Sequence, residues 1–173
     1  GNEAEAAGAY ARYAALPSGR YAGSAYVRLG AVLADSGAAS ASADAFARAS
    51  AELPEIADWL RTLQVEQLAA TGDPRTVALA ASTAPLSPPV RVRRVEAEVA
   101  ARDSSGDLAG ALRKLEWEER VLRAEKAVAE AARLQVSRAR LLARVDRAAE
   151  ARELLRAVSW NTEALPALRA EAA

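Results

Sequence analysis

Acidic residues close together are the first place to look for chemistry, and two groups stand out: Glu96 with Glu98, and Glu116 with Glu118 and Glu119. Two carboxyl groups perform acid–base catalysis when both reach one bond. Residues two apart on a helix point to different sides, so these groups are expected on solvated helix faces. His and Cys are absent from the chain. That removes the usual general base, the Ser-His-Asp arrangement, a thiol nucleophile and the commonest transition-metal ligands. No glycine-rich stretch precedes a Lys-Ser or Lys-Thr pair as in a phosphate loop, and the alternating Asp and Asn of a calcium loop are missing. The expectation is a protein that is not an enzyme, with no catalytic residue, no metal site and no cofactor.

The elements that would position any surface are helices. The chain has 173 residues, and 51% of them are hydrophobic, but only one Phe, four Tyr and three Trp are among them. Alanine supplies much of the rest, which favours closely packed helices over a sheet needing β-branched and aromatic strands. Tyr26, Leu29, Gly30 and Leu33, then Ser42, Phe46 and Ala49, recur at helical steps on either side of Gly37. Gly30, Ser42 and Ala49 are small enough for two antiparallel helices to approach closely, while Leu33 and Phe46 fill the space beside them. Gly37 supplies the turn and Pro54 starts the next helix. Ser24 is the expected N-cap of the first of these helices, and Ser40 or Ser42 opens the second. The helix after Pro54 carries Ile56, Trp59, Leu60, Leu63 and Leu68 as one apolar face, which places Trp59 in the core.

The same punctuation returns along the chain. Gly37, Gly72 and Gly106 are separated by 35 and 34 residues. Pro85, Pro88 and Pro89 break the chain before a stripe of Val92, Val95 and Val99. From Ala111 to Leu165 there is neither Gly nor Pro, so helix ends there rest on pattern alone. Glu116 to Arg120 and Glu119 to Arg123 are spaced for ion pairs within one helix and mark a wet face. Ala139, Leu142, Ala151 and Leu155 repeat the small-and-large spacing around a turn near Val145-Asp146, about forty residues past Gly106. The intervening helices must therefore be longer or an extra turn inserted. Trp160-Asn161-Thr162-Glu163 reads as a cap before a stub from Leu165. The expected fold is all-α with no sheet: a right-handed superhelix of antiparallel helix pairs, one α-solenoid domain over 1–173. Its pairs lie near 3–35, 24–53, 55–84, 90–123 and 126–158, with a C-terminal stub at 159–173.

The residues from Tyr26 to Pro54 resemble the tetratricopeptide repeat signature, with Ser42 where that family usually has alanine, and the interval between the turns is similar to its period of about 34 residues. The resemblance implies a stack of helix pairs whose first helices line a ligand-binding face. Carried over by register, the outward positions of those helices are Arg28, Arg61, Arg93, Arg133 and Arg140, a row suited to carboxylates or an acidic segment. The Lys and Asn residues of the family's terminal-carboxylate clamp have no counterpart, since Asn occurs only at Asn2 and Asn161.

A narrower resemblance runs through Leu53-Pro54-Glu55-Ile56-Ala57-Asp58-Trp59-Leu60 with Gly72-Asp73 behind it. It is similar to the helical superhelix preceding the catalytic domain of bacterial soluble lytic transglycosylases, and implies the non-catalytic part alone. Net charge is zero, with 6 basic and 9 acidic residues up to Val90 and 17 and 14 after it. No run of about 18 apolar residues is present to span a membrane. Met is also missing, and with no charged-then-apolar leader any targeting signal is expected to have been removed already. The function expected is a protein–protein scaffold or adaptor, including the option of an extramembrane accessory subunit of a larger, membrane-associated bacterial complex. The alternatives are the superhelical part of a cell-wall enzyme and nucleic-acid binding through the basic second half. A periplasmic or extracytoplasmic setting is favoured over a cytoplasmic one.

Overall fold

The computed structural model describes residues 2–16, 20–81 and 87–160, together with Pro166 and Ala170. Among them there are nine α-helices and no strand. The chain divides into two compact units, Gly1–Pro85 and Leu86–Ala173, and each has its own packing logic.

The first unit holds α1 (Asn2–Ala14), α2 (Ala22–Asp35), α3 (Ala39–Glu52), a single 3-10 turn at Pro54–Ile56, α4 (Ala57–Ala70) and the short α5 (Arg75–Ala80). Each helix packs on its neighbours in sequence. The seam between α2 and α3 is made by residues with little or no side chain. A methyl group on Gly30 would lie 2.7 Å from the Phe46 ring, and one on Gly23 would lie 2.7 Å from Leu53 Cγ. Both glycines face α3 because they are seven residues apart, two helical turns. Ser42, fully buried, donates its hydroxyl to the Gly30 carbonyl at 2.7 Å. Phe46, Ala49 and Leu60 form the core between α2, α3 and α4, with Tyr26, Val27, Leu53 and Leu63 packed around it.

Three expectations about this unit are corrected. Trp59 is 39% exposed and Ile56 also lies at the surface, while Leu60 is fully buried. The buried stripe of α4 runs through Ala57, Leu60, Val65 and Leu68, and Trp59 is one residue, about 100°, to the side of Leu60. Ser24 lies inside α2, which begins at Ala22 with no side-chain cap. Ser40 and Ser42 likewise lie within α3, where Ser42 is spent on the contact with α2.

The second unit holds α6 (Pro88–Ser104), α7 (Leu108–Ala124), α8 (Val128–Arg144) and α9 (Ala148–Trp160). Pro88 and Pro89 open α6, because proline in the first turn gives up an N–H that has no helical partner there. Successive helices pack on one another, and α6 also packs on α8. Val92, Val95 and Val99 of α6 meet Ala111, Leu115 and Leu122 of α7 and Ala131, Leu134 and Leu141 of α8. Ala139, Leu142 and Ala151 form a further cluster with Leu155 and Leu154 against it. Here α6, α7 and α8 are each 17 residues long, against 14 for α2, α3 and α4. The forty residues between Gly106 and Asp146 are therefore filled by longer helices and one additional turn at Lys126.

Five turns among the described residues close in the same way. The N–H groups of Ala38, Asp73, Asp107, Ala127 and Arg147 bond the carbonyls of Leu33, Leu68, Arg102, Leu122 and Leu142, five residues back, at 2.8–3.0 Å. This ring requires one residue in the left-handed region. Gly37, Gly72 and Gly106 occupy it in the first three, and Lys126 (φ 61°) and Asp146 (φ 58°) in the other two. After Gly106, Asp107 caps α7 by accepting the Gly110 N–H at 2.9 Å. The expected cap at Trp160–Glu163 and the stub from Leu165 fall largely outside the described residues.

Candidate functional site

The five arginines expected to form a row lie on α2 (Arg28), α4 (Arg61), α6 (Arg93) and α8 (Arg133 and Arg140). They are split between the two units, so no single surface holds all five within either one. Arg28 is exposed. Arg61 lies 3.7 Å from Asp58 on its own helix. Arg133 grips Glu96 of α6 with two bonds, Nε to Oε1 at 2.8 Å and NH2 to Oε2 at 2.6 Å, and Ser137 adds a weaker contact to the same carboxylate. Arg93 and Arg140 are also engaged by interactions of the chain itself. A guanidinium already bonded to a carboxylate in a fork has little left to offer a ligand.

Of the acidic groups, Glu116 is exposed as expected, whereas two others are structural. Glu98 is 2% exposed and Glu119 6% exposed, so neither lies on a wet face. Glu98 Oε1 accepts from Arg102 Nε at 3.0 Å, and its Oε2 faces Lys114 Nζ of α7 at 3.2 Å, outside hydrogen-bond geometry. Lys114 in turn pairs with Glu118 at 3.1 Å, and Arg102 with Asp107 at 2.8 Å. Glu119 is held by Arg123 at 2.8 Å on its own helix and by Arg138 of α8 at 2.7 Å. Arg144 of α8 bonds Asp103 of α6. Thus each interface among α6, α7 and α8 carries an ion pair over an apolar core. The Asp107 carboxyl is held below its ordinary value, first by the Gly110 N–H and then by Arg102. Those bonds favour its charged form.

Among the concavities of the second unit, two are lined by several charged side chains. One, of about 320 Å³, has Leu112, Leu142 and Leu154 in its wall together with Arg147 and Glu150. The latter two bond each other through paired 2.6 Å contacts, which also hold the Glu150 carboxyl below its usual value. The other, of about 560 Å³, lies over α7 and is lined by Arg102, Arg113, Lys114, Trp117 and Arg120, with Glu116 as its acidic member. Trp117 is 59% exposed, and the Arg120 guanidinium stands over its ring, 5.7 Å from the centroid. The sequence carries a signal for this surface that the arginine row does not include. Arg113, Trp117 and Arg120 follow i, i+4, i+7 on α7, on the side away from the buried Ala111, Leu115 and Leu122.

Among the described residues no group of His, Cys, Asp or Glu is placed to hold a metal ion, and no helix is long and apolar enough to cross a membrane. The chain is all-α, and within each unit the helices pack on one another in a way compatible with a helical repeat fold. Comparison with known protein families, with characterised protein sequences and with solved structures finds no match to it.

Proposed function

We propose that this chain is a non-catalytic scaffold that holds another protein, assembled from helical hairpins of the tetratricopeptide type. The observation that carries this reading is the hairpin of α2 and α3. Gly30 sits under the Phe46 ring, Ser42 bonds across to Gly30, Ala49 is completely buried, and Pro54 opens the next element. These contacts at Gly30, Ser42, Phe46 and Ala49 support the reading, and hairpins of this kind bury one side and offer the other to a partner. The α6–α8 contact supports the same reading, because first helices of successive pairs touch in a stack.

The test is a survey by photo-crosslinking in the native host, with the reactive side chain placed singly at Arg28, Trp59 and Ala124, all of them at the surface. A discrete protein adduct from at least one position is expected. A folded, expressed protein that yields no adduct from any of them overturns the scaffold reading.

A further inference from the structure

We infer that the groove over α7 formed by Arg113, Trp117 and Arg120 docks an acidic segment of a partner protein, in which carboxylates flank an apolar side chain. The inference rests on the scaffold reading and names a surface and a partner chemistry for it. The surface belongs to the second helix of its pair, not to the first helices carrying the arginine row.

The three side chains form one stripe along two turns of helix, with an indole in the middle and a guanidinium on either side. An indole left 59% exposed costs solvation that burial against a partner would recover. Trp and Arg together are the residues that most often anchor protein interfaces, and the Arg120 guanidinium over the ring orients both for contact. The charges around the groove differ in availability. Arg102 and Lys114 are committed to Glu98, Asp107 and Glu118. Arg120 bonds the Glu116 backbone carbonyl, at 3.5 Å, and Arg113 acts on the Asp107 carboxylate through space alone, as the smallest of the influences on it. Two guanidinium groups outside the salt bridges, astride an apolar ring, complement two carboxylates astride an apolar side chain.

A nucleic-acid strand fits less well. Its bases would stack on Trp117, but its backbone carries a charge at every nucleotide. Laid along this groove it would meet Glu116 as well as the carboxylates that hold Arg102 and Lys114. A peptide places its few charges where the two arginines are.

The experiment uses the full chain with Trp59→Phe and Trp160→Phe, leaving Trp117 as the sole indole, and follows its fluorescence. Three probes are titrated: a blocked peptide of sequence Glu-Phe-Glu-Glu-Phe-Glu, its counterpart with Lys for Glu, and a six-nucleotide oligothymidylate. The expected result is a saturable change with the acidic peptide alone, weakened at least about tenfold by Arg113→Ser with Arg120→Ser, and weakened by added salt. Thermal melting of that variant should stay close to the parent's, since Arg113 is the smallest of the influences on Asp107 and Arg120 bonds only a backbone carbonyl. An equal response to the Lys peptide, a preference for the oligonucleotide, or indifference to the arginine replacements overturns the inference. Crosslinked partners at position 28 or 59 with none at Ala124, one turn beyond Arg120, would remove the groove while leaving the scaffold reading intact.

Discussion

At Gly30 a hydrogen in place of a methyl group sets how closely α2 and α3 approach. Gly30→Ala would drive a carbon to 2.7 Å from the Phe46 ring, which is buried and packed in one cluster with Ala49 and Leu60. A loss of about 1–3 kcal/mol is expected, read as a lower urea midpoint. Ser42→Ala, which removes the hydroxyl from the Gly30 carbonyl, should cost about 1 kcal/mol. The turns make the opposite prediction. Lys126 holds a left-handed conformation that costs a side-chain-bearing residue about 1–2 kcal/mol. Lys126→Gly should therefore stabilise the protein by up to about 1 kcal/mol, raising the melting temperature by roughly 2–4 °C for a chain of this size. Asp146→Gly should gain less, since Asp tolerates this region better. The residue scale is also where the sequence was most legible. Gly37, Gly72 and Gly106 announce their turns because glycine takes positive φ freely, whereas Lys126 closes the same hydrogen-bonded ring with a residue type that carries no turn signal.

Helices in the second unit are held in register by charge as well as by apolar contact. The two kinds of pair should behave differently. Arg133 is half exposed where it meets Glu96, so a double-mutant cycle between them should give a coupling of about 0.2–1 kcal/mol that declines with salt. Glu119 is buried, and Arg138 is largely so. Replacing Glu119 by Ala leaves that guanidinium short of a partner at a partly dry interface, with an expected loss on the order of 2 kcal/mol, less sensitive to salt. Periodicity alone placed the apolar stripes of α6 and α8, because i, i+3 and i+4 positions are neighbours within any helix. It misplaced the carboxylates. Whether Glu98 and Glu119 are wet or buried depends on Lys114 of α7 and Arg138 of α8, on neighbouring helices that the local pattern does not reveal. Trp59 failed for a related reason: α4 has apolar residues on adjacent positions, and only the packing of α3 selected Leu60 over Trp59.

Across the molecule, acid is the condition to which the polar contacts respond. The carboxyls of Asp73, Asp107 and Glu150 are all held below their ordinary values, by Arg75, by the Gly110 N–H with Arg102, and by Arg147 respectively. Their contribution to stability is complete above the unfolded carboxyl range, about pH 4, and is lost as pH falls through the lower folded-state values. Urea midpoints should therefore be flat from neutral pH to about pH 5 and fall below about pH 4. Asp107→Asn should shallow that fall while leaving the N-cap to Gly110 largely in place.

By itself the sequence determined the helical class, the glycine turns and the small-residue seam of α2 and α3. These follow from φ preferences and from the spacing of residues on a single helix, properties that adjacent residues settle among themselves. Only the tertiary structure decided which charges are already spent. The contacts that spend them join residues 19, 37 and 41 apart, as in Arg138–Glu119, Arg133–Glu96 and Arg144–Asp103. Coulomb attraction and desolvation act through space between elements, so the choice of available cations awaited the packing of α6, α7 and α8.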